Sequence, residues 1–117
     1  MAVFQIDETR EEKASRAFLV SVLMGRNYYT DSAEELRLLV TSDGLEPCGL
    51  MQAKRDKPDP ATYLGSGKIE ELKTVAEESG ADIVVFDVAL SAAQQRNIER
   101  TIEKPVLDRT QLILDIF

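Results

Sequence analysis

Runs of apolar residues predict the strands of a sheet. Residues 17–24 are almost continuously apolar up to Gly25, a pattern typical of a central parallel strand that is covered on both faces. Residues 82–87 are rich in β-branched side chains and are bounded by carboxylates, which predicts a second buried strand. Weaker patterns predict further strands over residues 49–53 and 105–108.

Helical patterns alternate with these strands. Capping-box signatures at residues 32–35 and 91–94 each open a helix, and another helix begins near Ser66 and ends at Gly80. A last helix is expected to begin at Thr110. Strand and helix alternate four times, which predicts an α/β fold: a small open sheet of about four mainly parallel strands with helices on both faces.

The composition indicates one folded, cytoplasmic domain. At 117 residues the chain has the length of a single domain, and its hydrophobic fraction of 44% is ordinary for a folded protein. The lone Cys48 has no disulfide partner, which favours a reducing compartment. Residues 1–16 form a polar lead-in without the pattern of a signal peptide, and no apolar run approaches the roughly 20 residues of a membrane helix.

The net charge of −7 argues against a protein that coats nucleic acid by bulk electrostatics. The balance reverses locally, because cations outnumber carboxylates between Lys54 and Lys68. The prolines stiffen this segment, and a tyrosine ring beside cations suits unpaired bases and phosphates of RNA. A plain solvated loop over residues 54–61 is an equally good reading. The candidate RNA contacts are Lys54, Arg55, Lys57, Tyr63 and Lys68.

Two further arginines, Arg96 and Arg100, share the outer face of the helix that follows Ser91. They are weaker candidates for RNA contact, because Glu99 and Glu103 dilute their charge. A solvated helix face is the favoured interpretation for this pair.

A glycine-rich turn precedes the helix at Ser66, but it is not a phosphate loop for nucleotides. A Walker A loop needs a glycine where Thr62 stands and a hydroxyl where Ile69 stands. The pattern therefore favours a turn into a helix N-terminus. Free amides, the helix dipole and a lysine still make this turn attractive to an anion. The candidate anion-binding residues are Gly65, Ser66, Gly67 and Lys68.

Little in the sequence favours catalysis. The chain has no histidine, and Cys48 has no base partner. Asp87 and Asp108 follow strands, where an α/β sheet usually carries its ligands, so a magnesium site is an alternative. Strand-end aspartates more often cap the next helix or pair with arginine. We therefore predict no catalytic residue and no metal site.

Three blocks of sequence are specific in their order and spacing. They are Lys54-Arg55-x-x-Pro58-x-Pro60-x-Thr62-Tyr63-x-Gly65-x-Gly67-Lys68-x-x-Glu71-Leu72, then Leu90-Ser91-x-x-Gln94-x-Arg96-Asn97-Ile98-Glu99, then Val106-x-Asp108-Arg109-Thr110-x-Leu112-Ile113-Leu114-Asp115-Ile116-Phe117. Together they resemble the N-terminal domain of HflX-type GTPases. The chain departs from that family's pattern at Ala92, where proline is usual, and at Val88 and Ala89, where more polar residues are usual.

The resemblance covers roughly residues 17–117, after the polar lead-in over residues 1–16. It implies a domain over 17–109 and, over 110–117, the start of a helical linker cut before the G domain. It implies that the intact protein binds GTP and Mg²⁺ in that G domain and acts on the large ribosomal subunit, splitting or rescuing ribosomes under stress. This chain would then be a ribosome- and RNA-binding module without GTPase activity or a cofactor of its own. Its partners would be ribosomal RNA and the missing helical segment and G domain.

Two alternatives stay open beside that reading. One is a domain that binds ATP, GTP or a small molecule at the strand ends and the Gly65–Lys68 turn. The other is a purely structural domain that orients its neighbours. The apolar residues 112–117 also favour homodimerisation through that end of the chain.

Overall fold

The strands and helices alternate along the chain as the hydrophobic pattern predicts. The computed structural model describes residues 15–24, 31–55 and 57–111. The strands are β1 (Arg16–Met24), β2 (Glu46–Arg55), β3 (Ile83–Phe86) and β4 (Val106–Leu107), and the helices are α1 (Asp31–Ser42), α2 (Ser66–Glu78) and α3 (Ala92–Ile102). Residues 109–111 begin a further helical turn, one residue earlier than predicted.

All four strands are parallel and form one sheet in the order β2-β1-β3-β4. The apolar run predicted as the central strand is β1, which pairs with β2 on one side and with β3 on the other. The strand order reverses between β1 and β3, because the chain first adds β2 at one edge and then crosses to the opposite side. The predicted fold class is confirmed.

Helices cover both faces of the sheet. On one face, α2 and α3 pack against alternate residues of β1 in the larger core, which includes Phe18, Val20, Ile69, Leu72, Ile98 and Ile102. On the other face, α1 packs against the remaining residues of β1 in a smaller core of Ala17, Leu19, Leu36, Val40 and Val85. Because β1 contributes to both cores, it carries an apolar side chain at almost every position.

Strand β2 is longer than the sequence predicted. It extends over Glu46–Arg55 instead of residues 49–53, so the expectation of a loop from Lys54 to Ala61 is wrong for its first two residues. Lys54 and Arg55 pair with Leu23 and Met24 of β1. A strand at the sheet edge keeps one side towards solvent, so charged side chains do not end it.

Local signals fix the helix ends. At the start of α3, Gln94 N donates to Ser91 Oγ at 3.1 Å, and Ser91 N donates to Gln94 Oε1 at 2.9 Å, which confirms that capping box. At the end of α2, Gly80 takes a φ of 71°, in the left-handed region that glycine tolerates. The predicted capping box at residues 32–35 depends on the Ser32 side chain, which lies outside the described residues.

The polar lead-in up to residue 14 and the apolar end at residues 112–117 also lie outside the described part of the chain. The predictions made for them, including dimerisation through the apolar end, therefore stay predictions.

Candidate functional site: a cationic pocket at the carboxyl edge of the sheet

The topology brings the predicted cationic residues to one edge of the molecule. Because the strands are parallel, the end of β2 and the beginnings of α2 and α3 all lie at the carboxyl edge of the sheet. Lys54 and Arg55 are the last residues of β2, and Lys68 is in the first turn of α2. Residues distant in the sequence thus meet at one place.

Three of the predicted RNA contacts line a single cavity of about 470 Å³. Adjacent residues of a strand point to opposite faces of a sheet, so a shared pocket is unusual for Lys54 and Arg55. Both reach it because they end an edge strand. We call this cavity the cationic pocket; its lining residues are Gln52, Ala53, Lys54, Arg55, Leu64 and Lys68.

Arg55 occupies an unusual position in the cationic pocket. Its Nε is buried and has no hydrogen-bond partner among the described residues. Its Nη1 lies 3.6 Å from the position that a Cβ on Gly65 would take, so the guanidinium lies against the start of α2. A cationic group is therefore held next to the positive end of a helix dipole.

The start of α2 matches the predicted anion-binding turn in geometry. Gly65 is the N-cap residue, with φ 90° and ψ 154°, and among the described residues no side chain caps the helix. Its own N–H donates to Thr62 Oγ1 at 3.1 Å. Ser66 and Gly67 are exposed, and a Cβ on Gly67 would meet nothing within 4 Å. The first-turn amides have no acceptor within the helix.

The two lysines nearest the turn differ in their surroundings. Lys68 Nζ pairs with Glu71 Oε2 at 3.1 Å, but both side chains are more than a third exposed, so this surface pair is weak. Lys57 is exposed. Lys68 can therefore exchange Glu71 for an external anion at little cost.

The segment that leads to α2 is held in one shape by Asp59. The carboxylate Oδ1 accepts hydrogen bonds from Ala61 N at 2.8 Å and Thr62 N at 3.1 Å. The Asp59 and Tyr63 backbones exchange two further bonds of 2.9 Å. The backbone bonds from Ala61 and Thr62 hold the pKa of the Asp59 carboxyl below its usual range, and the charge of Arg55 adds to the effect.

Helix α3 fastens this segment to the domain. Gln94 Nε2 donates to the Asp59 carbonyl at 2.8 Å, and Asn97 Nδ2 donates to the Ala61 carbonyl at 2.9 Å. The sequence had suggested only a capping role for Gln94. Each hydrogen bond joins residues more than 30 positions apart in the sequence, so no local sequence pattern predicts it.

Tyr63 lies closer to the core than a base-stacking residue would. It is half-buried, packs against the larger core and has a φ of 69°. Burial raises the pKa of its phenol, and the charge of Asp87 raises it further. Only part of its ring is therefore available for an external contact.

The two arginines of α3 do not line the cationic pocket. Arg96 and Arg100 are both exposed. Arg96 lies in the part of α3 next to the carboxyl edge, whereas Arg100 lies about 6 Å further along the helix axis, since each residue rises about 1.5 Å. Of the two, Arg96 is better placed for a ligand that also occupies the pocket.

The strand-end aspartates form hydrogen bonds within the fold. The buried carboxylate of Asp87 accepts hydrogen bonds from Ser21 Oγ and Val22 N, both at 2.9 Å. Asp108 accepts from Leu90 N at 2.9 Å and from Gln111 N at 2.8 Å, which caps the final helical turn. Asp108 thus takes the capping role that the sequence favoured, whereas Asp87 bonds to β1 instead of capping a helix. Both sets of contacts leave less of either carboxylate for a ligand.

A second cavity, of about 570 Å³, lies between α1 and β2. Glu34 and Arg37 lie on its rim, so its charge is balanced, and none of the predicted site residues lines it. Within the described part of the chain, no helix is long and apolar enough to cross a membrane.

The fold and the site define a parallel α/β domain with a cationic edge, and comparison with known proteins identifies its family. The GTP-binding GTPase N-terminal family matches residues 30–117. The chain therefore belongs to that family, as its resemblance to the N-terminal domain of HflX-type GTPases predicted.

Curated relatives support the assignment. GTPase HflX of Escherichia coli is 39% identical over 108 residues, which cover 92% of this chain and 25% of that protein. GTPase HflX of Flavobacterium psychrophilum is 44% identical over 84 residues, which cover 72% of this chain and 20% of that protein. GTPase HflX of Caldanaerobacter subterraneus is 35% identical over 112 residues, covering 96% and 26%. The chain thus spans about a quarter of the length of the relatives it matches.

Solved structures share the fold. A GTP-binding protein from the archaeon Sulfolobus solfataricus, in complex with GDP, superposes with a TM-score of 0.63 at 22% identity, covering 89% of this chain and 30% of that one. The G235S variant of SsGBP superposes with a TM-score of 0.67 at 21% identity, covering 86% and 31%.

Proposed function

We propose that this chain is the RNA-binding module through which an HflX-like GTP-binding protein contacts the large ribosomal subunit in ribosome splitting or rescue under stress. One observation carries the proposal: Lys54, Arg55 and Lys68 converge on one pocket at the carboxyl edge of the sheet. A chain with a net charge of −7 concentrates cations there, at the end of β2 and the start of α2, beside a segment held in a fixed shape.

Fixed cations suit a polyanion for two reasons. Each one that neutralises a phosphate releases a condensed counterion, which makes binding favourable and dependent on salt. The segment from Asp59 to Tyr63 is already ordered, so docking it loses little conformational entropy. Lys57, Arg96 and the exposed part of Tyr63 extend the surface, and Arg100 lies at its margin.

We assign GTP hydrolysis, with its Mg²⁺, to a G domain in another part of the intact protein. The curated relatives are named GTPases and are about four times as long as the stretch they share with this chain. Residues 62–69 lack the Walker A spacing. The role of this chain is binding, in the cytoplasm, next to the helical segment and the G domain.

The rival function, binding of ATP, GTP or a small molecule at the strand ends, is less well supported. It would draw on Asp87 and Asp108, which already accept hydrogen bonds within the fold. Calorimetry of the chain with ATP and GTP in the presence of magnesium tests the rival. Micromolar binding would favour it over the RNA-binding function.

The RNA-binding function is tested by cosedimentation of the chain with large ribosomal subunits across a salt series. The variant combines Lys54→Ala, Arg55→Ala and Lys57→Ala. It should bind more weakly and reduce the slope of log affinity against log salt by roughly 0.7 to 1 for each lost phosphate contact.

A matched control removes the same charge elsewhere, through Arg37→Ala, Lys73→Ala and Lys104→Ala. This control should bind nearly as the unmodified chain does, because its cations lie outside the cationic pocket. Equal losses of affinity in both triple variants would show that only the net charge of the chain matters. No loss in the variant of Lys54, Arg55 and Lys57 would refute the proposed contact surface.

A further inference from the structure

We propose that the outer edge of β2 is a surface for self-association, on which a second copy of this chain pairs its own β2 in antiparallel orientation. This inference goes beyond the proposed function and does not rest on it.

The first argument is the position of β2. It is the longest of the four described strands, over Glu46–Arg55, and it lies at the edge of the sheet. Among the described residues, no strand pairs with its outer side. Such an edge offers unpaired N–H and C=O groups to another strand. An antiparallel copy of β2 satisfies them, and the two-fold axis closes the assembly at two copies.

The irregularities of β2 determine which residues would pair. Pro47 has no N–H, and the register with β1 shifts at the adjacent Cys48. Both features disfavour pairing at the beginning of the strand. From Gly49 to Arg55 the register is regular and the sequence contains no proline. The longest antiparallel self-pairing of this segment therefore has its two-fold axis at Gln52.

This register brings together side chains that suit one another. Gln52 lies opposite Gln52 of the second copy, where the two side-chain amides can donate to and accept from each other. Lys54 lies opposite Leu50 of the second copy, on the face of the sheet that carries α1. Leu50 is 49% exposed, although it is a large apolar side chain. The methylene groups of the lysine cover it in the pair.

The cavity between α1 and β2 supplies the opposite charge. It has a volume of about 570 Å³, and its lining includes Leu50 and Glu34. A Lys54 side chain that crosses Leu50 of the second copy enters this cavity and can place its ammonium beside Glu34. The present ion pair of Glu34 with Arg37 is exposed and long, at 4.0 Å, so it is weak. The two-fold axis repeats the contact in the other copy.

The net charge of −7 on each copy opposes association at long range. At physiological ionic strength, salt screens this repulsion beyond about 8 Å. Strand β2 itself carries Lys54 and Arg55 against one carboxylate, Glu46, so the excess of negative charge lies elsewhere. In the proposed register no two like charges lie opposite each other, because Arg55 lies opposite Gly49.

Sedimentation velocity of the chain over a concentration series tests the association. We expect a reversible equilibrium between monomer and dimer. Leu50→Lys places a cation opposite Lys54 of the second copy and should weaken dimerisation by about tenfold or more. Leu38→Lys is the matched control, because Leu38 is also an exposed leucine, at 59%, but lies on α1. Unchanged circular dichroism verifies that each variant folds.

Three results of this experiment would overturn the proposal. The first is a monomer at every concentration up to about 1 mM. The second is an equal loss of dimerisation in the two lysine variants. The third is undiminished dimerisation in Leu50→Lys, which would assign the contact to another surface, such as the apolar end predicted at residues 112–117.

Disulfide cross-linking tests the register in a Cys48→Ser background. Gln52→Cys places two cysteines at the two-fold axis, where opposite Cα atoms lie about 4.5–5.5 Å apart, within reach of a disulfide. Leu50→Cys leaves its two cysteines four residues out of register, roughly 13 Å apart, so it should cross-link far more slowly. Equal or faster cross-linking of Leu50→Cys would overturn the register.

A charge reversal tests the contact in the cavity. Glu34→Lys should weaken the dimer, because it places two cations together, and the double variant with Lys54→Glu should regain the lost affinity. The same sedimentation series measures both variants. A double variant that regains no affinity would overturn the contact between Lys54 and Glu34.

Discussion

The side-chain amide of Gln94 donates a hydrogen bond of 2.8 Å to the backbone carbonyl of Asp59, 35 residues earlier in the chain. The same side chain accepts a bond from Ser91 N in the capping box of α3. One residue therefore begins a helix and fastens the segment that borders the cationic pocket.

This double role predicts the effect of Gln94→Glu. The carboxylate still accepts from Ser91 N, but it cannot donate to the Asp59 carbonyl and repels it. We expect a loss of stability of about 1–3 kcal/mol, and faster hydrogen exchange at Tyr63 N, which donates to that carbonyl. Urea unfolding and amide exchange measure the two effects. Arg96→Gln, an exposed change on the same helix, is the control; similar exchange at Tyr63 in both variants would contradict the fastening role.

The start of α2 predicts opposite results for two neighbouring glycines. Gly65 has φ 90° and ψ 154°, a region that is nearly restricted to glycine, so Gly65→Ala should destabilise the fold by about 1–3 kcal/mol. Gly67 lies within the helix, and a Cβ there would meet nothing within 4 Å. Gly67→Ala should be neutral or stabilising by up to about 1 kcal/mol. Thermal unfolding of the pair measures the contrast, and equal stabilities would contradict the assigned backbone strain.

The lowered pKa of Asp59 predicts a pH-dependent segment. Because the folded-state pKa lies below that of the unfolded chain, the stabilising contribution is present above the unfolded value and is lost as the pH falls through the folded value. Hydrogen exchange at Ala61 and Thr62 should therefore lose protection in the acid range below an ordinary aspartate pKa. Asp59→Asn keeps an acceptor without a titrating charge. The loss of protection over that range should be absent in this variant, and its persistence would exclude Asp59 as the titrating group.

Two aspartates bonded to β1 backbone amides differ in burial and should differ in importance. Asp87 is buried and accepts from Ser21 Oγ and Val22 N, so Asp87→Ala leaves two donors without these acceptors. We expect a loss of roughly 2–4 kcal/mol in urea unfolding. Asp82 accepts from Arg16 N at an exposed position, and Asp82→Ala should cost less than about 1 kcal/mol. A larger loss of stability in Asp82→Ala than in Asp87→Ala would show that burial does not determine the size of these contributions.

The sequence predicts the sheet better than it predicts the pocket. The strands β1 and β3 are recognisable because burial on both faces requires continuous apolar runs. The extent of β2 is underestimated, since Lys54 and Arg55 resemble loop residues and join the sheet only by pairing with β1. The cations of the candidate site are visible in the sequence as a local excess of charge. Their convergence and the burial of Arg55 Nε depend on the packing of β2 against α2, which no short pattern encodes.

The carboxylate of Asp108 has a mechanical consequence. It bonds Leu90, just before α3, and Gln111, in the last described turn. These two bonds act as a clamp, so the direction in which the chain proceeds from Gln111 is coupled to the orientation of α3. A force on the chain after Gln111 would be transmitted to α3. It would also reach the hydrogen bonds from Gln94 and Asn97 to the carbonyls of Asp59 and Ala61. A change in the direction of the chain after Gln111 would thereby alter the position of the segment beside the cationic pocket.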